Sequence, residues 1–185
     1  MIALQRSRLE SVSLGLRLVT PDDAGYVLQL RQNPRYNAHL SPVTGTVADQ
    51  RAWIDAYKQR EAEGREAYYI IERRDGTPCG TVRLYDIEGD RFTWGSWILD
   101  ANKPPKAALE SAVLIYDIGF LKFGKARAVF DVRRDNARTL AFHRRFGATE
   151  TGADDENVYF TYPRDRFLAD RSKHLSVVQS AAETG

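Results

Sequence analysis

The sequence predicts an α/β fold: a mixed, mostly antiparallel twisted sheet with one parallel β-α-β crossover and helices on both faces. Three observations predict it. Segments of strict two-residue alternation are interleaved with segments whose apolar residues recur at three- and four-residue spacing. Two runs rich in Tyr, Ile and Val are joined through Asp75-Gly76, a dipeptide favoured where a tight hairpin turn needs positive φ. A long apolar helix pattern separates two further strand patterns, Phe92 to Val132, which implies a parallel pair.

Taken in order, Leu14, Leu16 and Leu18 alternate with Gly15, Arg17 and Val19 as a first strand, and Thr20-Pro21-Asp22-Asp23 caps a helix running to about Arg31. A polar stretch, Gln32 to Gly45, is broken by Pro34 and Pro42. The second helix begins near Thr46, carries Trp53, Ile54 and Tyr57 on one face, and ends before Gly64. Tyr68–Arg73 and Thr81–Tyr85 form the hairpin. The next strand, Phe92–Leu99, places Phe92, Trp94, Ser96 and Ile98 on one face and Gly95 and Trp97 on the other. From about Pro105 to Phe123, Leu109, Ala112, Val113, Tyr116 and Phe120 define a helix that Gly124 stops. Ala126–Val132 reads as a buried strand, Asn136–Phe146 as a helix closed by Gly147, and Val158–Thr161 as the last strand.

The length, 185 residues, suits a single domain, expected over residues 1–172, followed by a flexible tail over 173–185. The single cysteine, Cys79, excludes an intrachain disulfide, and His39, His143 and His174 are too scattered for a metal site, so no metal is expected. No apolar run reaches the ~18–20 residues of a membrane span, and the N-terminus is polar, so no membrane partner is expected and a cytoplasmic chain is. The net charge is +2, but Leu121–Ala148 carries eight basic residues against two acidic ones. That local surplus asks for an anionic partner. Nucleic acid is disfavoured, because the aromatic and glycine motifs of RNA-binding modules are absent.

On the Asn136–Phe146 helix, Asn136, Leu140, His143 and Gly147 are spaced four, three and four, which puts an amide and an imidazole on one stripe at the carboxyl edge of the sheet. With this stripe, Trp94-Gly95-Ser96-Trp97-Ile98-Leu99 and Phe130–Ala148, the chain resembles the GNAT (Gcn5-related) N-acetyltransferase superfamily from about Leu14 to Pro163. The family pattern is Asn, a small residue three later, Tyr seven later and Gly-Phe eleven and twelve later. Here those places hold Asn136, Thr139, His143, Gly147 and Ala148, so Tyr and Phe are replaced.

The resemblance implies acetyl-CoA as acyl donor, a direct attack by a deprotonated amine and no covalent enzyme intermediate. Asn136, Thr139 and Phe142 then border the pantetheine arm, and Trp97, Ile98 and Leu99 offer it backbone N–H and C=O groups as an added strand. His143 takes the place of the Tyr that protonates the departing thiolate, a task suited to a donor with a pKa near neutrality. The glycine-rich diphosphate loop of the family is replaced by Asn102-Lys103-Pro104-Pro105-Lys106-Ala107-Ala108, whose prolines donate no N–H, so Lys103, Lys106 and the Ala107 region carry that task instead. The base is left open among Asp131, Asp86, Glu88 and an ordered water. Asn37, His39 and Tyr85 are the expected acceptor contacts. Within the superfamily the chain looks most like enzymes that acetylate amino sugars on nucleotide carriers for surface glycans, and more distantly like those acetylating ribosomal-protein N-termini. A CoA-binding domain without turnover is the third reading. GNAT proteins often dimerise, so a homodimer is allowed.

Overall fold

The computed structural model describes residues 8–185. Their element order is β1 Leu9–Glu10, β2 Leu14–Leu18, a short 3-10 turn Pro21–Asp23 leading into α1 Ala24–Gln32, α2 Val47–Ala62, β3 Ala67–Arg73, β4 Pro78–Glu88 and β5 Arg91–Leu99. There follow α3 Ala107–Tyr116, with a π-helical extension Asp117–Lys122, β6 Arg127–Arg133, α4 Ala137–Phe146, β7 Thr149–Ala153, β8 Asn157–Pro163 and α5 Arg164–Glu183. The eight strands form one sheet ordered β1-β2-β3-β4-β5-β6-β8-β7, antiparallel throughout except for the β5–β6 pair. The mixed sheet with one crossover is therefore as expected.

Alternation along β3 divides the core. Tyr68 and Ile70 join Val19, Ala24, Val27, Ile54 and Tyr57 under α1 and α2. Ala67, Tyr69 and Ile71 point to the opposite face and the larger core under α3, α4 and α5. Local chemistry sets the helix ends. Thr46 and Asp49 form a reciprocal capping box at the start of α2. Gly147, at φ 112°, turns the chain out of α4 while the Ala148 N–H donates to the His143 carbonyl at 3.0 Å.

Three elements depart from the expectations. The segment from Lys173, expected as a flexible tail, is the second half of the twenty-residue α5, with Val178 buried and His174 stacked on Phe146 at 4.2 Å. The fully exposed β7 was not foreseen, since nothing apolar alternates along it. The crossover helix begins at Ala107, because Lys106 adopts a left-handed conformation at φ 61°.

Candidate active site

The candidate site borders a β-bulge in β5. Thr81 pairs with Ile98 and Arg83 with Gly95, so two steps along β4 oppose three along β5, a β-bulge with Ser96 at φ 47°. The buried Thr81 hydroxyl donates to the Ser96 carbonyl at 3.2 Å. This corrects the expected faces of the strand. Trp94 and Trp97, assigned opposite faces by alternation, lie together with ring centroids 5.1 Å apart. Before the bulge, after Phe92, β5 has already left its parallel neighbour. Only Arg91 and Phe92 are in register with Arg127 and Ala128, so the β6-facing backbone edge of the strand's second half has no strand partner. An open wedge between two parallel strands results, and backbone groups along it are available to a ligand.

On one side of the wedge lies a cavity of about 560 Å³. Its floor is Trp94–Leu99 and Phe130–Arg133, its roof the segment from Arg35 to Ser41, and its far wall Asn136, Thr139 and His143. The roof is anchored where the Arg31 guanidinium donates to the Ser41 carbonyl at 3.1 Å and the Gln32 amide to Gly45 at 3.2 Å. Two side-chain contacts are fixed here: Arg133 pairs with Glu156 at 2.7 Å, and His39 Nδ1 meets the Asp135 carboxylate at 3.1 Å.

At the back of this cavity His143 is only 3% exposed and enclosed by the rings of Trp94, Trp97, Phe130, Phe142 and Phe160, at centroid distances of 4.5–6.1 Å. Its Nδ1 has no hydrogen-bond partner. Burial lowers its pKa to about 3, so the ring is neutral at physiological pH. The near-neutral donor expected from the sequence is thus corrected. Burial also pushes the Cys79 thiol up to about 12, which makes it inert as a nucleophile.

On the other side of the wedge runs a groove of about 960 Å³, sharing Trp97, Leu99, Lys103, Arg138 and Thr139 with the first cavity. Lys103, Lys106, Arg138 and Arg145 line it, and none of them makes an ion pair or side-chain hydrogen bond among the described residues. Their loop is held from below. Buried Asp100 accepts from the Asn102 N–H and from the Tyr26 hydroxyl, both at 2.7 Å, so α1 fixes the approach to α3. The start of α3, a ten-residue helix, opens on this groove, where first-turn amides favour anions.

The sequence-expected residues divide accordingly. Trp97, Ile98, Leu99, Asn136, Thr139, His143, Asp131, Tyr85 and His39 line the first cavity, and Lys103, Lys106, Ala107 and Phe142 line the groove. Asn136 caps α4, its side-chain oxygen accepting from the Thr139 N–H at 3.2 Å. Asn37, Asp86 and Glu88 line neither space, because Asn37 sits within the roof's turns and the other two lie at the far end of the β4–β5 hairpin. Partial desolvation raises the Asp131 carboxyl, with Arg133 opposing, and desolvation followed by the Asp131 charge raises Tyr85. Glu156 and Asn157 were missed because they follow the unforeseen β7; His174 was missed because its helix was read as a tail.

Two cavities meeting across one opened strand, one of them rich in unpaired cations, suit a transfer between two bound substrates of which one is polyanionic. That class is a group transferase. The acetyltransferase (GNAT) domain family matches residues 13–149, and the chain belongs to this family. A solved structure described as apo FdhC, a nucleotide-linked sugar GNAT, is 39% identical and superposes with a TM-score of 0.85 over 91% of this chain and 96% of its own. The ribosomal-protein-S5-alanine acetyltransferase of Vibrio fischeri is 14% identical (TM-score 0.72; 86% of this chain, 98% of its own). The spermidine N-acetyltransferase of Vibrio cholerae, solved with CoA and spermine, is 15% identical (TM-score 0.71; 84% and 98%). These last two share the fold. No curated protein matches the sequence. The chain is accordingly an acetyl-CoA-dependent acetyltransferase with an amine acceptor. No helix among the described residues is long and apolar enough to cross a membrane, and no group of metal-ligating side chains occurs among them.

Proposed function

We propose that the enzyme acetylates the primary amine of a nucleotide-linked amino sugar destined for surface glycans. The observation that carries this reading is the 39% identity over 91% of the chain with a nucleotide-linked sugar GNAT. The first cavity is compatible with such an acceptor. Arg35 at its roof has no side-chain partner among the described residues, so the roof offers a guanidinium to a diphosphate. The donor fits the groove. Lys103, Lys106, Arg138 and Arg145 would neutralise its phosphates, and Thr139 and Phe142 would flank its arm. The unpaired edge of Trp97–Leu99 would meet its amides, one N–H polarising the thioester carbonyl as negative charge develops. Neutral His143 acts, in this reading, as a hydrogen-bond donor to the reacting thioester rather than as an imidazolium.

The test is calorimetry with acetyl-CoA, followed by thiol release over a panel of UDP- and dTDP-linked amino sugars, spermidine and an alanine-initiated peptide. Release confined to the nucleotide-linked sugars is expected. Release with spermidine or the peptide alone would replace the acceptor class, and tight acetyl-CoA binding without any release would mark a non-catalytic CoA-binding domain.

A further inference from the structure

Building on the acetyl transfer proposed above, we propose that His39, held by Asp135, is the base that takes the proton from the acceptor amine. The pair links parts of the chain 96 residues apart: His39 belongs to the roof over the first cavity, and Asp135 immediately precedes the Asn136 cap of α4. A carboxylate accepts hydrogen bonds and donates none. The 3.1 Å contact therefore places the proton on His39 Nδ1 and leaves Nε2 with its lone pair. The ring is about a third exposed and lines the acceptor cavity, so a ligand there has access to it.

The other titratable groups of the cavity serve less well. His143 is packed among rings that hold its pKa near 3, too weak a base for an ammonium group. Asp131 belongs to the cavity floor, and no neighbouring side chain hydrogen-bonds or orients it among the described residues. Glu156 is accessible as well, but its carboxylate is tied to the Arg133 guanidinium at 2.7 Å, which weakens it as a base; His39 is oriented by a partner, accessible and carries an uncommitted ring nitrogen. The same contact gives Asp135 a positioning role, because it fixes the tautomer and the orientation of the ring.

The protons and bonds balance as follows. His39 Nε2 takes one proton from the acceptor ammonium, and the freed lone pair forms the C–N bond to the acetyl carbon. The C–S bond breaks and sulfur leaves with its electron pair. The remaining excess proton on nitrogen passes to the thiolate, directly or through water, and His39 returns its proton to solvent. The charged groups that share its cavity are Arg31 and Arg35 from the roof, Asp131 and Arg133 from β6, Arg138 from α4 and Glu156 from the β7–β8 turn.

His39→Ala and His39→Gln should each lower kcat by roughly 10²–10⁴-fold with whichever amine the wild-type enzyme turns over, while the calorimetric Kd for acetyl-CoA stays within twofold. The acidic limb of the kcat/KM profile should disappear, and added imidazole should restore part of the rate to His39→Ala. Asp135→Asn should lower kcat about tenfold and displace that limb, with KM little changed. A His39→Gln enzyme within about threefold of wild-type kcat, a loss confined to KM, or a limb that vanishes in Asp131→Asn instead would overturn the assignment. Turnover of spermidine but of no nucleotide-linked sugar would remove the proposed acceptor and leave the His39 test intact. A wild-type chain that releases thiol with no amine would overturn both.

Discussion

In the acceptor cavity Arg133 is tied to Glu156 and His39 to Asp135, whereas in the groove beyond Trp97 four cations stand without a partner. The two spaces share five lining residues and are separated only by the opened strand. The difference is one of task. Paired charges have fixed directions before a ligand arrives, so they recognise shape and orientation at little ordering cost. Unpaired cations on exposed side chains attract polyanions with little angular demand, and their effect extends about a Debye length into solvent. One region is arranged to position and the other to hold.

The sharpest way to break this contrast is to reverse the groove alone. Lys106→Glu combined with Arg145→Glu, both confined to the groove, should weaken acetyl-CoA by about 3 kcal/mol, a more than hundredfold rise in Kd at low ionic strength, with the acceptor KM unchanged. Calorimetry at two salt concentrations would show it, and an equal rise in acceptor KM would mean that the two spaces are one site.

The wall between them can be probed through pH. The folded-state pKa of His143 lies near 3 against 6.5 in the unfolded chain. Between those values the unfolded state binds a proton that the folded state refuses. Stability should therefore be complete above about pH 6.5 and fall as pH drops toward 3, by roughly 2–3 kcal/mol between pH 7.5 and 4.5. His143→Phe should flatten urea-unfolding midpoints over that range; His174, also lowered by burial, contributes with the same sign and calls for a parallel variant. A smaller effect concerns chemistry. His143→Gln should cost about 1.5–2 kcal/mol, ten- to thirtyfold in kcat, with acetyl-CoA affinity retained. An unchanged kcat would reduce His143 to a packing residue. Smallest of all, Arg133→Ala breaks a largely exposed pair with Glu156 and should shift stability by under ~1 kcal/mol while raising acceptor KM severalfold. A larger loss of stability than of affinity would show that the pair braces the sheet and does not orient a substrate.

These regions were unequally legible from the sequence. The stripe from Asn136 to Gly147 was readable because helical spacing fixes a face, whereas the lysines flanking Pro104-Pro105 were singled out only through the family resemblance, which places the donor's diphosphate loop there. The mixed topology followed from a hairpin turn and one long apolar helix. The bulge was not readable, since Gly95-Ser96 carries no signal that distinguishes it from regular alternation, and one residue out of step reassigned Trp97 to the other face. The polar half of α5 has few apolar positions to mark it as a helix, yet Val178 and His174 dock it on the core. Nor does a histidine 96 residues from its carboxylate leave any local trace of their contact.

The bulge at Ser96 also acts as a frameshift in the side-chain reading of the sheet. Only Arg91 and Phe92 of β5 are zipped to β6; from Thr93 onward the side facing β6 has no strand partner, so most of an internal strand behaves as an edge, a vacancy for a guest that is not a peptide. Deleting one residue at the bulge should bring the later positions of β5 back into phase and turn Trp97 to the face opposite Trp94.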